Sequence, residues 1–243
     1  MIEIAQGPAA EDQLRCVRVA VVVPLANEGA SIDDFLRRVI RQLGPDDVVF
    51  GVVDSVSRDD TRAKVEAFAD RDARIRPVWA PEDRNVVDAY FRGYREALDS
   101  GARWILEMDA GMSHVPEEMP EFLSLIDEGY DYVGGCRFMV GGSHTGSLRR
   151  RLVSRSGSTL ARVWLGVHMR DLTGGFEMFS RSAMERVVSR GVRSHGTFFQ
   201  TEIKYLLRDT RWIEVPINYR SSSSRARPGS IRDAVLNLWK LRA

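Results

Sequence analysis

An α/β fold, with a mostly parallel central sheet covered by helices on both faces, is predicted by three features of this sequence. Strand-length apolar runs alternate with helix-length amphipathic segments through the first 138 residues. The first run, 17–24, is dominated by valine, which suits a strand buried on both faces. Acids fall where strands end, at Glu28, Asp54 and Asp109, and in a parallel sheet those ends lie along one edge.

Each element has a local reason. Ser31 is placed to cap a helix with Asp33 and Asp34 in its first turn. Ile32, Phe35, Leu36, Val39, Ile40 and Leu43 form its apolar stripe, and Gly44 ends it. The alternation continues with strand 48–54, a helix from about 60 to 69, strand 75–80, helix 86–99 and strand 104–109. Asp59 or Asp60 caps the second of these helices. Pro116 and Glu117 open a helix running to 128, Gly129 stops it, and 132–138 is a further strand. Beyond 140 the rhythm changes: 141–143 is loop, 149–167 helical and 211–220 a late strand. Residues 231, 234, 235, 238 and 241 are apolar, which makes 231–241 an amphipathic helix. It is read as packing on the domain's own core. A membrane-surface role is the alternative, because Arg232, Lys240 and Arg242 flank the stripe.

A chain of 243 residues, 44% hydrophobic and 28% charged, is ordinary for a globular protein. Its longest apolar run, 19–26, is far short of the ~20 residues a spanning helix needs. The first 16 residues lack the basic start and apolar core of a secretory signal. Cys16 and Cys136 have no metal-ligand spacing and are read as reduced, buried thiols of a cytoplasmic protein. The net charge of +1 conceals asymmetry: between Ser143 and Arg170 there are six arginines and no acid. From Asn218 onward six more basic residues face a single acid, Asp233. A solvated face is the plain explanation for either block; two in one half favour a polyanionic ligand or a membrane surface. No nucleic-acid partner is expected.

The stretch ILEMDAGMSH (105–114) delivers Asp109 to a strand end, but two residues on, where a metal site would want a second carboxylate, stands Gly111. A divalent hard cation is held by one or two protein carboxylates when substrate phosphates and waters complete its shell. Asp109 alone can therefore suffice. His114 is read as a turn or helix-start residue, imidazole being a poor match to Mg²⁺.

VVVPLANEGASI (21–32) resembles the opening strand and loop of family 2 glycosyltransferases with the GT-A fold. VVDSVSRDDT (52–61) looks like their second nucleotide-contact segment. ILEMDAGMSHVPEEM (105–119) is similar to the Asp-x-Asp strand and following turn of the polyprenol-phosphate mannose synthase branch. DYVGGCRF (131–138), RLVSRSGSTLAR (151–162), DLTGGFEMFSR (171–181), FFQTEIKYLLR (198–208) and WIEVPINYR (212–220) continue in the family's order. The resemblance covers nearly the whole chain.

It implies a single Rossmann-like domain, 1–243, with a nucleotide-sugar half at 17–138 and an acceptor half at 139–243. It implies inverting transfer of a hexose, mannose favoured, from a GDP- or UDP-hexose to a polyprenol phosphate, with Mg²⁺ or Mn²⁺ as cofactor. Pro24, Asn27, Glu28 and Asp54 would meet the nucleoside, and Asp109 the metal. Ser113, where the family often has Gln or Ser, would add a further oxygen to that metal. Arg137, Asp171, Gly175, Phe176 and Glu202 would shape the sugar and acceptor pocket. Arg149, Arg151 and Arg155 sit at a helix start where a bidentate grip on phosphate is feasible. The family's late Arg-x-x-Gly-x-Ser element is altered to SSSSRARPGS (221–230), so Arg225 or Arg227 takes its place. No catalytic base stands out. A phosphate acceptor needs none, since a phosphomonoester with a second pKa near ~6 is already a nucleophile at neutral pH. A soluble hydroxyl acceptor would need one, and Asp171 or Glu202 could serve. A degenerate, nucleotide-binding protein is the remaining alternative. Peripheral contact at the cytoplasmic face of a membrane is compatible with the basic second half.

Overall fold

The computed structural model describes residues 17–83, 85–220, 237–239 and 241. Strands β1 (Val19–Leu25), β2 (Val48–Asp54), β3 (Ile75–Ala80) and β4 (Trp104–Glu107) run parallel in the order β3-β2-β1-β4. Helices α1 (Ile32–Ile40), α2 (Thr61–Ala69) and α3 (Val86–Asp99) connect them. β2 is buried along its whole length and β1 nearly so, as the valine runs require. Side-chain alternation divides the core. Ala20, Val22, Phe50 and Val52 face Tyr90 and Tyr94 of α3 on one side. Val19, Val21, Val49 and Val53 face Phe35, Leu36 and Val39 of α1 on the other.

The second half completes the same sheet. β5 (Tyr132–Cys136), β7 (Glu177–Ser180) and β8 (Trp212–Pro216) extend it in the order β4-β7-β5-β8. β7 is antiparallel to both β4 and β5, pairing Glu177 with Glu107 and with Gly134. This reversal brings the segment that precedes β7, 171–176, to the edge where β1, β2, β4 and β5 end. A short parallel pair, β6 (Ser143–His144) with β9 (Asn218–Tyr219), lies beside that edge. Helices α5 (Leu148–Leu165), α6 (Arg181–Arg190) and α7 (Phe199–Leu206) cover the second half.

Some sequence expectations shift. Ser31 does not cap α1; its hydroxyl donates instead to the Glu28 carboxylate at 3.0 Å. Asp59 rather than Asp60 serves α2, accepting from the Thr61 N–H at 3.1 Å. The helix expected over 116–128 is a 3₁₀ turn, Pro116–Glu118, followed by α4, Met119–Leu123. Pro120 lacks the N–H that a continuous helix would use. The strand expected over 211–220 breaks between β8 and β9, where the chain leaves the main sheet to pair with β6. Of the amphipathic helix at 231–241, only 237–239 and 241 lie within the described residues. There Leu238 is buried in the core, and Trp239 meets Trp164 with ring centroids 5.0 Å apart. Cys136 is buried, and burial pushes its thiol up to about 12; Cys16 lies outside the described residues. Among the described residues no helix is long and apolar enough to cross a membrane.

Candidate active site

Asp109 follows β4 and is held from two sides. Its backbone N–H donates to Nδ1 of His114 at 2.9 Å, and the Tyr90 hydroxyl donates to its Oδ1 at 2.7 Å. An imidazole nitrogen that accepts a backbone hydrogen bond leaves the ring proton on Nε2, and burial also lowers the His114 pKa. His114 is therefore neutral. It sits in the expected turn, but as a fixed acceptor that orients Asp109. The Asp109 side chain remains 45% exposed, with Oδ2 4.0 Å from His114 Nε2. Behind His114 lies Phe176, stacked on it at 5.1 Å and on Phe122 at 4.4 Å. Phe176 was expected at the acceptor pocket; it is fully buried and supports the site from behind.

The other first-half residues gather on the same edge. The Glu28 N–H donates to Thr61 Oγ1 at 2.8 Å, and burial, with a smaller push from the Asp109 charge, raises its carboxyl pKa. Asn27 accepts from the Arg58 N–H at 3.0 Å and donates to the Val56 carbonyl at 3.3 Å, lashing the loop after β1 to the loop after β2. Asp54 is buried at the end of β2 and accepts from the Val56 N–H at 3.0 Å. Pro24 is half-buried beside it in β1, paired with Val52. Ser113 is buried, its hydroxyl donating to the Ala110 carbonyl at 3.4 Å and its carbonyl accepting from the Arg220 N–H at 2.9 Å.

Gly111 has φ +71°, and a Cβ there would stand 3.1 Å from both Glu28 carboxylate oxygens. A side chain would meet backbone strain of roughly 1–3 kcal/mol, and an acidic one would add repulsion from Glu28. Gly111→Asp is therefore expected to destabilise the protein more than Gly111→Ala, without lowering the metal concentration needed for activity. Thermal unfolding of both variants with a rate titration against Mn²⁺ checks this. An aspartate variant as stable as wild type and saturating at lower Mn²⁺ would refute it.

Arg137 and Asp171 form a buried pair. The Arg137 side chain bonds both Asp171 carboxylate oxygens at 2.7 Å, the Arg137 N–H adds a 3.1 Å bond, and Nη2 reaches Thr173 Oγ1 at 2.7 Å. Burial pushes the Asp171 carboxyl up, but the Arg137 hydrogen bonds and charge hold it below the usual range. Arg137 thus faces Asp171 rather than open crevice, with the Tyr219 ring 5.2 Å from its guanidinium. Asp171 also caps its own turn through the Thr173 N–H at 3.2 Å. Glu202 accepts from the backbone N–H groups of Arg193 and Ser194 at 2.7 and 2.9 Å and so fastens that loop; burial raises its carboxyl pKa against these bonds and the nearby Arg193 charge. Gly175 lies against Gln200, whose Nε2 would be 2.8 Å from a Cβ. Arg149, Arg151 and Arg155 are exposed on the first turns of α5. Arg225 and Arg227 lie outside the described residues.

Beneath Asp109 lies a polar layer that sequence reasoning missed. Glu107 accepts from the Tyr94 hydroxyl and from Gln200 Nε2 (2.7 Å). Glu177, its partner across β4 and β7, is bonded to Lys204, which also donates to the Gly174 carbonyl at 2.8 Å. A glutamate inside an apolar strand and two tyrosines four apart on a buried helix face were the available signals, since buried hydroxyls take partners. Burial pushes the Glu107 carboxyl well above its ordinary range and that of Glu177 to about 7. Above the ordinary carboxylate pKa the unfolded chain ionises where the native state keeps the proton. Stability therefore falls as pH rises, until the native group also ionises, by at most about 1.4 kcal/mol per pH unit for each proton. Glu107→Gln is expected to flatten this fall. Urea midpoints from mildly acidic to mildly alkaline pH measure it, and an unchanged slope would oppose it.

A sequence model of glycosyl transferase family 2 matches residues 20–188. The chain belongs to this family. Relatives of this glycosyltransferase include the polyprenol monophosphomannose synthase of Mycolicibacterium smegmatis, 30% identical over 93% of this chain and 88% of the relative. The undecaprenyl-phosphate mannosyltransferase of Micrococcus luteus is 28% identical, over 93% and 96%. Among solved structures, glucosyl-3-phosphoglycerate synthase from Mycobacterium tuberculosis, in complex with Mn²⁺, UDP and phosphoglyceric acid, superposes with a TM-score of 0.67. The match covers 97% of this chain and 83% of that one at 18% identity. At that identity the likeness speaks for the fold, which is GT-A.

Proposed function

We propose that this glycosyltransferase moves a hexose, mannose before glucose, from a nucleotide diphosphate-sugar to a polyprenol phosphate, with inversion at the sugar. The carrying observation is that both candidate bases are already committed. Asp171 is taken up by Arg137 and its own turn, and Glu202 by two backbone N–H groups. A hydroxyl acceptor would find neither of these two carboxylates free as its base, whereas a phosphate arrives deprotonated. The names of the two relatives support the same acceptor and the same sugar.

In this reading, residues 17–138 form the donor half and 139–243 the acceptor half of one domain. Asn27, Glu28, Asp54 and Pro24 surround the nucleoside. Among the described residues no group of three His, Cys, Asp or Glu side chains could hold a metal ion. A half-exposed carboxylate with one oxygen fixed by Tyr90 fits a cation that draws its remaining ligands from diphosphate and water. Asp109 would hold Mg²⁺ or Mn²⁺, with Ser113 shaping its turn, and the bound cation would neutralise charge on the leaving diphosphate. Gly175 lines the sugar side, Arg137 braces it from behind through Asp171, and Arg149, Arg151 and Arg155 meet the acceptor phosphate.

The test is transfer and donor hydrolysis by purified protein over GDP- and UDP-hexoses, with and without polyprenol phosphate. Transfer to polyprenol phosphate from one donor is the expected result. Transfer only to a soluble alcohol would overturn the acceptor assignment, and inactivity with every donor would overturn the transferase reading.

A further inference from the structure

Glycine at 111 leaves a space that another residue fills. Asp109 brings one carboxylate to the end of β4, and the residue two further on, where a cation site would want a second, is Gly111. A Cβ there would stand 3.1 Å from both carboxylate oxygens of Glu28 and 3.4 Å from the carbon that joins them. The space that an aspartate side chain at 111 would enter is therefore held by a carboxylate arriving from the loop after β1. The edge keeps the charge and changes the element that carries it.

Glu28 is fixed in this place by its neighbours. Its carbonyl accepts from the N–H groups of Ser31 and Ile32, both at 2.9 Å, and its own N–H donates to Thr61 Oγ1 at 2.8 Å. The Ser31 hydroxyl donates to Oε2 at 3.0 Å, a bond made in place of capping α1. Among the described residues Oε1 has no hydrogen-bond partner. Asp59, the other acid near this loop, is committed to the side chain and N–H of Thr61 and to the Gly29 N–H.

Charge supplies a second argument. Among the described residues no lysine or arginine pairs with Glu28 or Asp109, and His114 beside Asp109 is neutral. Burial raises the Glu28 carboxyl pKa, the Ser31 bond opposes this, and the Asp109 charge adds to it. Elsewhere the chain answers its buried acids with its own cations, Lys204 for Glu177 and Arg137 for Asp171. Here it offers two neighbouring carboxylates that disfavour each other's ionised form. A divalent cation with oxygen ligands removes that conflict, and such an ion takes one or two protein carboxylates beside substrate phosphates and water.

We infer that Glu28 is the second carboxylate of the cation site, standing in for the side chain that Gly111 lacks. The inference rests on the reading of Asp109 as a cation ligand and deepens it. It turns the Glu28 carboxylate from the nucleoside toward the diphosphate end of the donor, and joins that end to the loop after β1. Gly111 then has a role beyond its φ of +71°: a side chain there would displace its own replacement.

Calorimetry of GDP and UDP binding, in Mn²⁺ and in EDTA, tests this without turnover. Glu28→Gln keeps the size of the side chain and an oxygen for the Ser31 hydroxyl, and removes the charge. It is expected to leave nucleotide affinity in EDTA unchanged. Mn²⁺ binding to the nucleotide-saturated protein should weaken about tenfold or more, since losing even a group that only orients a metal ligand costs ~10–100-fold. An equal loss in Mn²⁺ and in EDTA would return Glu28 to the nucleoside and overturn the inference. So would a variant that matches wild type in both. A second comparison moves the carboxylate. Gly111→Asp is expected to bring no gain in Mn²⁺ affinity while Glu28 is present. Glu28→Ala/Gly111→Asp should regain part of what Glu28→Ala loses, because residues that compete for one space are not additive. The same effect of the aspartate in both backgrounds would overturn the inference. Asp109→Asn losing metal dependence while Glu28→Gln keeps it would remove the inference alone. Wild-type affinity that ignores EDTA would remove the Asp109 reading with it.

Discussion

Asp171→Asn is expected to cost about 3–5 kcal/mol of folding stability, because it leaves the buried Arg137 guanidinium without its counter-charge. The amide matches the carboxylate in volume, so cavity formation contributes little and the loss reports the charge. Urea unfolding at neutral pH measures it. Asp171→Leu/Arg137→Leu should lose less than the sum of the two single substitutions, since the partners act together. The pH dependence has a definite sign. The Asp171 carboxyl is held below the usual range in the native state, so its contribution is complete above the unfolded pKa and disappears as pH falls through the native one. The gap between wild type and variant should therefore narrow in acid. A loss below about 1 kcal/mol, the range of an exposed ion pair, would show that the pair is open to solvent.

Asp109→Asn is expected to lower transfer by about 10²–10⁴-fold, the several kcal/mol that charge neutralisation at a leaving diphosphate supplies. Folding should be unaffected, because the side chain is half exposed and asparagine still accepts the Tyr90 hydroxyl. The matching equilibrium measurement is calorimetry of GDP and UDP binding with Mn²⁺ and with EDTA. Wild type should bind more tightly with the metal and the variant equally in both. Nucleotide affinity in wild type that ignores EDTA would remove Asp109 from the metal role.

The first half of the fold was legible because its strands are buried on both faces and its helices are amphipathic. β2, β3 and α3 fall on the residues that periodicity indicated. The second half was harder for a physical reason. β7 is four residues long, starts with a glutamate and is placed only by pairing with β4 and β5, far away in sequence. Nothing local marks it as the strand that reverses direction. The site divides in the same way. Strand-end acids could be read from their position, whereas the partners that orient them could not. Tyr90 comes from a helix 19 residues before Asp109, and the commitment of Asp171 to Arg137 spans 34 residues. Pattern distinguishes an aspartate at a strand end from one in a helix, but not an available carboxylate from one already neutralised.

The antiparallel β7 has a further consequence for motion. It hydrogen-bonds to β4 on one side and to β5 on the other, so no seam between early and late strands is free to open. A clamshell hinge, in which two lobes part to admit a nucleotide, would have to break these ladders and separate Glu107 from Glu177 inside the core. Substrate entry and product release must then be the business of loops at the sheet edge, with the strands acting as a fixed floor. Amide exchange in β4, β5 and β7 should collapse together, as one cooperative unit, rather than half by half.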